Sequence, residues 1–170
     1  YRFYASFLAA KVLSLDADLR LADEAQQLAR DVATAKHGLV HDAQVLREIE
    51  RGFERSLDSL GFDLSSRRTA FLKPNLVRPA KPESSTITHP AVVEAVVNVL
   101  RRRGMQDIRV GEASSVGVNV EESFDVSGYR ALCRRLDVPL LNLNDVERRE
   151  MRWMYGRLRL PKVALDADLY

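Results

Sequence analysis

The spacing of hydrophobic residues along the chain changes near Ser65. Before this point, apolar positions recur every three or four residues, which is typical of amphipathic helices. One series runs from Leu21 to Ala35 and is interrupted by Gly38, and a second runs from Val45 to Leu60 and stops at Gly61. A glycine just beyond a helical series is a common C-terminal stop. We therefore predict two helices before residue 65.

Short apolar runs alternate with helical series after residue 65. The runs predict strands at 69–72, 108–111 and 138–143, with a Val-rich helix opening near Pro90 and a second helix at about 128–136. Three strands that alternate with helices predict a βαβαβ unit, and short apolar strands of this kind indicate a parallel sheet covered on both faces. The predicted fold class is α/β, a three-layer parallel-sheet (Rossmann-like) domain preceded by N-terminal helices.

The last part of the chain predicts further elements. From Arg157 onward the pattern predicts another strand and a brief helix, and Asp168-Leu169-Tyr170 has the composition of a strand. The chain begins at Tyr1 without a Met, and we expect it to be part of a longer protein. We divide it into an N-terminal helical extension, residues 1–44, and an α/β domain, residues 45–170, that is incomplete at its C-terminus.

The charge balance and the length of the apolar runs bear on whether the chain binds nucleic acid or spans a membrane. The chain has 170 residues with 26 basic and 24 acidic side chains, a net charge of +2, which fits one domain without bulk attraction to nucleic acid. Arginine clusters at predicted helix ends are explained by the helix dipole, which favours cations there. No apolar run approaches the roughly 20 residues that span a bilayer. We therefore expect no nucleic-acid partner and no membrane partner.

Cysteine and histidine usage excludes two further kinds of site. Cys133 is the single cysteine, so the chain cannot form an internal disulfide or supply the thiolates of an iron–sulfur cluster. Its position in a predicted amphipathic helix favours a small buried side chain, and we expect a cytoplasmic protein. His37 and His41 are four residues apart, but Gly38 breaks the helix between them, and two ligands are too few for a metal site.

Polar residues follow each of the three predicted parallel strands. They are Lys73-Pro74-Asn75, residues 111–115 with Glu112 and Ser114, and residues 142–145. Ligands of open parallel sheets bind outside the carboxyl ends of the strands, so we expect these loops to share one edge. A lysine beside backbone N–H groups suits a phosphate or carboxylate. Neither a phosphate-loop motif nor a GxGxxG motif is present.

Each candidate residue has a functional and a structural interpretation. In the functional one, Lys73 holds the anion, Asn75 and Ser114 orient it, and His89 or Glu112 moves a proton. In the structural one, Lys73 ends a strand in solvent, Glu112 hydrogen-bonds a neighbouring loop, and His89 caps the helix that begins at Pro90.

Four segments together point to a family. They are 71–77 (FLKPNLV), 88–90 (THP), 108–114 (IRVGEAS) and the closing 165–170 (LDADLY). In this order the chain resembles, over about 45–170, the N-terminal half of domain-of-unknown-function family 362, some of whose members are associated with iron–sulfur clusters. The resemblance implies an α/β domain and transfers one set of candidate pocket residues, namely Lys73, Asn75, Thr88, His89, Gly111 and Glu112.

The resemblance also contributes to the functional hypotheses. The cofactor stays open, and a cluster would belong to an iron–sulfur module or a partner protein, because this chain alone cannot ligate one. We expect an α/β domain that binds a small anionic molecule at the strand carboxyl ends, as part of a redox- or cofactor-linked enzyme. The alternative is a non-catalytic scaffold or interaction domain that docks through its N-terminal helices, and a homo-oligomer fits either hypothesis.

Overall fold

The computed structural model describes residues 43–61 and 63–170. Its first element, α1 (Ala43–Ser59), buries Ile49 and Leu57 on one face, as the apolar spacing predicts. Gly61 adopts a left-handed conformation with φ of 60° just beyond the helix, so the predicted stop is confirmed. The predicted helix at 21–35 and almost all of the N-terminal extension lie outside the described residues.

Three parallel strands form the central sheet. Strands β1 (Thr69–Leu72), β2 (Asp107–Glu112) and β3 (Leu140–Asn142) are hydrogen-bonded in the order β1-β2-β3. The register pairs Leu72 with Val110 and Glu112 with Asn142, so the carboxyl ends of all three strands meet at one edge. The α/β class and the three strands are confirmed, with β3 shorter than the pattern predicts.

Helices connect the parallel strands. Helix α2 (Pro90–Arg102) joins β1 to β2, and α3 (Val120–Val126) and α4 (Tyr129–Leu136) join β2 to β3. The short helix α3 lies between residue 115 and the helix predicted at about 128–136, where the sequence pattern predicted no element. Asn119 begins it by accepting hydrogen bonds from the N–H groups of Glu121 and Glu122, a standard N-cap arrangement.

One hydrophobic cluster joins the sheet to the helices. Its strand members Ala70, Ile108 and Val110 are at most 4% exposed and lie on one face of the sheet. Its helical members come mainly from α2 and α4, and they include Val93, Val97, Val99, Leu100, Leu132 and Cys133. The predicted buried position of Cys133 is confirmed at 2% exposure. No helix among residues 43–61 and 63–170 has the length and apolarity needed to cross a membrane.

A separate hairpin follows the parallel sheet. Strands β4 (Arg148–Trp153) and β5 (Gly156–Pro161) pair antiparallel, and the short helix α5 (Lys162–Leu165) follows directly. The strand and the brief helix predicted after residue 157 are confirmed. Strand β4 was not predicted, because its sequence RREMRW contains four charged residues and no β-branched one.

The end of the chain adds a short strand contact to β1. Leu169 bridges Ala70 in parallel, with hydrogen bonds of 2.8 Å from the Phe71 N–H to its carbonyl and 3.1 Å from its own N–H to the Thr69 carbonyl. The ring of Tyr170 stacks on Phe71 with centroids 5.6 Å apart. The predicted strand character of residues 168–170 is thus limited to this bridge.

Asp168 fastens this contact. Its carboxylate accepts from the N–H groups of Arg68 and Thr69 and from the Thr69 hydroxyl at 2.8–2.9 Å. Hydrogen bonds from the backbone N–H of Arg68 and of Thr69 lower the pKa of Asp168, because they stabilise the charged form. The carboxylate therefore stabilises the folded chain above the ordinary aspartate pKa, and this contribution is lost as the pH falls through the lowered value.

We expect Asp168→Asn to reduce the free energy of unfolding at neutral pH and to have little effect in strong acid. The difference between wild type and variant should shrink as the pH falls through the lowered pKa of Asp168. Urea unfolding at a series of pH values measures this difference. Asp166→Asn, which removes the same charge from an exposed pair with Arg149, is the control. A difference that is independent of pH would contradict the assignment.

Candidate functional site

Lys73 and Glu112 form an ion pair at the carboxyl edge of the sheet. Lys73 directly follows β1 and Glu112 is the last residue of β2, so the parallel register brings them together. The Lys73 Nζ lies 2.8 Å from Oε1 and 2.9 Å from Oε2 of Glu112. The carboxylate side chain is 5% exposed, whereas the lysine side chain is 25% exposed. The pair therefore has a buried acidic end and a partly accessible basic end.

Backbone N–H groups complete the surroundings of Glu112. Its Oε2 accepts from the N–H of Leu76 at 3.1 Å, and its Oε1 accepts from those of Ala113 at 2.7 Å and Ser114 at 3.3 Å. A buried carboxylate is tolerated when donors of this kind replace water. Glu112 thus ties the loop after β1 to the loop after β2, which is the structural role considered for it.

Ser114 and Asn144 extend this network across the edge. Ser114 has a φ of 53°, an uncommon left-handed conformation for a residue with a side chain, and its hydroxyl donates to the Leu76 carbonyl at 2.7 Å. The Asn144 amide donates to the Ala113 carbonyl at 3.0 Å. All three strand-end loops are therefore hydrogen-bonded together. We call this set of loops, 73–77, 112–115 and 142–145, the strand-end rim.

Thr88 and Asn75 hold the start of α2 against the rim. The Asn75 N–H donates to the Thr88 hydroxyl and the Thr88 N–H donates to the Asn75 carbonyl, both at 2.9 Å. The Tyr129 hydroxyl donates to the Thr88 carbonyl at 3.0 Å. Burial raises the pKa of Tyr129, so its hydroxyl stays protonated and remains a donor. Tyr129 falls in the helix predicted at about 128–136, but the sequence gave no sign of this polar contact.

His89 and Gly111 have clear structural functions. The Nδ1 of His89 accepts from the Ala91 N–H at 3.1 Å and caps α2. A Cβ added at Gly111 would lie 3.0 Å from both the Leu141 carbonyl oxygen and the Phe71 ring, so the close packing of the sheet favours a glycine there. A proton-transfer role for His89 and a ligand-binding role for Gly111 stay predictions.

The ammonium of Lys73 is the group at the rim best suited to a ligand. An ammonium has three N–H donors, and the two oxygens of Glu112 can occupy two of them. Among the described residues, Lys73 makes no other hydrogen bond. Its remaining donor and the exposed side chain of Asn75 can therefore contact an acceptor from solvent. The carboxylate of Glu112 already accepts from several donors, so proton transfer by it also stays a prediction.

A cavity of about 360 Å³ lies away from the rim. It is lined by the starts of β1 and β2 and by α5, including Thr69, Arg109 and Lys162, and contains neither Lys73 nor Glu112. Its charged groups are satisfied by their neighbours, since Arg109 pairs with Asp107 at 2.6 Å and Lys162 with Glu147 at 3.0 Å. Nothing in this lining favours one ligand chemistry, so the strand-end rim is the better candidate.

The residues present do not fit an iron–sulfur cluster or another clustered metal site. Cys133 is the single cysteine, and burial raises the pKa of its thiol to about 11, whereas cluster ligands are thiolates. Residues 43–61 and 63–170 contain no group of three His, Cys, Asp or Glu side chains that could hold a metal ion. His37 and His41 lie outside the described residues.

We expect Lys73→Met to lower the free energy of unfolding by about 2–3 kcal/mol, because it leaves the buried Glu112 carboxylate without its counterion. The double variant Lys73→Met/Glu112→Gln should recover part of this loss, since no buried charge remains. Lys162→Met, which breaks an exposed pair with Glu147, should cost less than about 1 kcal/mol. Urea unfolding compares the three proteins, and equal losses in the two single variants would contradict a structural role for the pair.

We expect Cys133 to resist alkylation in the folded protein. With a pKa of about 11 and 2% exposure, the thiol is neither ionised nor accessible at pH 8. Iodoacetamide should modify it about 100-fold or more slowly than in the urea-unfolded chain, where the pKa returns to about 8.5. Mass spectrometry over time measures both rates, and similar rates in the two states would show that the thiol is not buried.

Comparison with known proteins identifies the family. The profile described as "Domain of unknown function (DUF362)" matches residues 71–170, so the match starts at β1, and helix α1 precedes it. "Thylakoid-associated protein sll1697" from Synechocystis sp. is 31% identical over 98 residues, which are 58% of this chain and 30% of that protein. The chain thus spans less than a third of that relative's length. No solved structure matches the chain. The resemblance predicted from the sequence is confirmed, and the chain belongs to family DUF362.

Proposed function

We propose that the domain binds a small anionic ligand, carrying a phosphate or carboxylate group, at the strand-end rim. The observation that supports this proposal is the ion pair itself, in which buried Glu112 holds the partly exposed ammonium of Lys73 where three loops meet. An ammonium that is already held in place loses little conformational freedom when an anion binds, so less binding energy is lost to ordering.

Neighbouring groups would share the contacts with the anion. The side chain of Asn75 is exposed, and its amide makes a long contact of 3.4 Å with the Thr86 carbonyl, which it can exchange for a ligand oxygen. The hydroxyl of Ser114 donates to Leu76, so it would orient a ligand by accepting from it. Thr88 would act by holding Asn75 in place. The proposed proton movement by His89 or Glu112 requires a protonatable ligand beside Lys73.

Because the Lys73–Glu112 pair carries little net charge, we expect the rim to bind anions with modest affinity. A free lysine attracts any anion, whereas a paired one selects ligands that supply an acceptor at the correct position. This favours a ligand with several oxygens, one of which meets Lys73 while the others meet the amide of Asn75. Chloride, which has a single centre, is the poorer fit.

We further propose that the domain is part of a redox- or cofactor-linked enzyme. The family resemblance supports this, since some members are associated with iron–sulfur clusters. Because this chain has a single cysteine, a cluster would be held by an iron–sulfur module outside it or by a partner protein. The name of that relative places it at thylakoids. For this chain we propose a cytoplasmic location, on the basis of its single cysteine.

We propose a Rossmann-like, three-layer arrangement for the α/β domain. One face of the sheet packs on α2 and α4 through Ala70 and Val110. On the other face Phe71 is 1% exposed and stacks on Tyr170, so this face also has apolar cover. The alternative function, docking through N-terminal helices, depends on residues 1–44, which fall almost entirely outside the described part of the chain.

We expect inorganic phosphate and malonate to raise the melting temperature of the wild-type protein. At ten times the dissociation constant, a ligand that binds only the folded state stabilises by about 1.4 kcal/mol, or about 3–5 °C for a chain of this size. Differential scanning fluorimetry at constant ionic strength measures the shift, with chloride as the reference anion. The dependence on ligand concentration gives the dissociation constant.

Three variants test where the anion binds. Lys73→Gln should remove the shift, whereas Lys162→Gln removes an equal charge from another Lys–Glu pair and should keep it. Lys73→Arg retains a cation at the rim and should keep part of the shift. If Lys73→Gln and wild type respond equally to phosphate, the proposal is rejected.

A further inference from the structure

The two faces of the β4–β5 hairpin differ in chemistry. Cross-strand partners share a face of an antiparallel ribbon, and the pairs Arg148–Pro161, Glu150–Arg159 and Arg152–Arg157 therefore lie together. The charged residues on this face are all exposed, and they are Arg148, Glu150, Arg152, Arg157 and Arg159. We call this surface, four arginines against one glutamate, the cationic face of the hairpin. The opposite face includes the half-buried Met151 and Leu160.

The positive charge of this face is only partly neutralised. Arg152 and Arg157 are direct cross-strand partners, an arrangement of like charges that destabilises a hairpin. Glu150 pairs with Arg157 at 2.8 Å, although the side chain of Arg157 is 77% exposed. Arg152 and Arg159 have no ion-pair or hydrogen-bond partner in the described part of the chain. Several other surface arginines, such as Arg135 with Glu94 at 2.7 Å, are paired with acidic side chains.

The turn of the same hairpin is apolar and exposed. Met154 and Tyr155, which connect the two strands next to the Arg152–Arg157 pair, are 76% and 87% exposed. A turn in water is normally built from polar residues, and two side chains this exposed bury little surface within the described fold. An exposed apolar tip directly beside unpaired cations is the composition of an interfacial membrane contact.

We propose that the β4–β5 hairpin docks on the surface of an anionic lipid bilayer. Met154 and Tyr155 enter the interface, where an aromatic ring with a polar hydroxyl is favoured, and Arg152, Arg157 and Arg159 contact headgroup phosphates. This inference is independent of the anion site, because the hairpin shares no residue with the strand-end rim. Docking on the bilayer surface needs no membrane-spanning helix. The expectation of no membrane partner was based only on the lack of an apolar run long enough to span a bilayer.

The distribution of charge favours a bilayer over nucleic acid. Duplex binding usually involves many phosphates and a broad basic surface, whereas the chain carries a net charge of only +2 and the cationic face of the hairpin is a single two-stranded ribbon. Phosphate contacts alone would also leave the apolar tip in water. Insertion of the tip into a lipid interface explains both features together.

Co-sedimentation with vesicles tests the proposal on the full chain. We compare vesicles of phosphatidylcholine alone with vesicles that also contain phosphatidylglycerol. The wild-type protein should partition at least about tenfold more strongly to the anionic vesicles, and added salt should weaken this binding. Arg152→Gln/Arg159→Gln should reduce it about tenfold or more. Met154→Ser/Tyr155→Ser should reduce it several-fold without changing its dependence on salt.

A matched control removes two charges elsewhere. Arg55→Gln/Arg134→Gln changes two exposed helical arginines and should bind vesicles like wild type. Circular dichroism and urea unfolding verify that every variant is folded. The proposal is overturned if wild type does not sediment with anionic vesicles, or if the control and hairpin variants lose binding equally. It is also overturned if a DNA duplex, followed by fluorescence anisotropy, binds through Arg152 and Arg159 while vesicles do not.

Discussion

Glu112 carries a carboxylate at the end of the central strand, where the residue is 3% exposed. A charge in this position costs several kcal/mol unless donors surround it, and here they are the ammonium of Lys73 and three backbone N–H groups. These donors come from the loops after β1 and β2. The side chain of Glu112 therefore holds these two loops of the strand-end rim together. The same carboxylate that stabilises the loops holds the cation that we propose as the ligand contact.

The proposed ligand site and the proposed membrane surface belong to different parts of the fold. The strand-end rim is built on the parallel sheet and backed by one hydrophobic cluster, so its polar groups are held by rigid elements. The hairpin forms a separate two-stranded sheet. The apolar side chains of its turn are exposed to solvent and are therefore accessible to a partner surface. In these two proposals together, the parallel sheet binds a small anion at its carboxyl edge and the hairpin holds the domain at a bilayer surface.

Local pattern predicted the elements whose signals are local. Helix α1 follows from apolar spacing and Gly61, and α2 from Pro90 and its valines, because periodicity and end residues act within a few residues of each other. Strand β4 could not be predicted in this way. Its charged sequence becomes a strand because β5 supplies a partner, and that pairing is a property of the hairpin and not of either strand.

The candidate site was likewise predicted only in part from local sequence. The sequence by itself determined which polar residues follow each parallel strand, and the topology rule then placed Lys73, Glu112 and Asn144 at one edge. The cap of α2 by His89 spans only two residues and was one of the two interpretations of the sequence. Only the tertiary structure decided that Lys73 and Glu112 neutralise each other and that Gly111 is packed closely against Leu141 and Phe71. The physical reason is distance: Lys73 and Glu112 are 39 residues apart, and their contact arises from the register between β1 and β2, which no local pattern encodes.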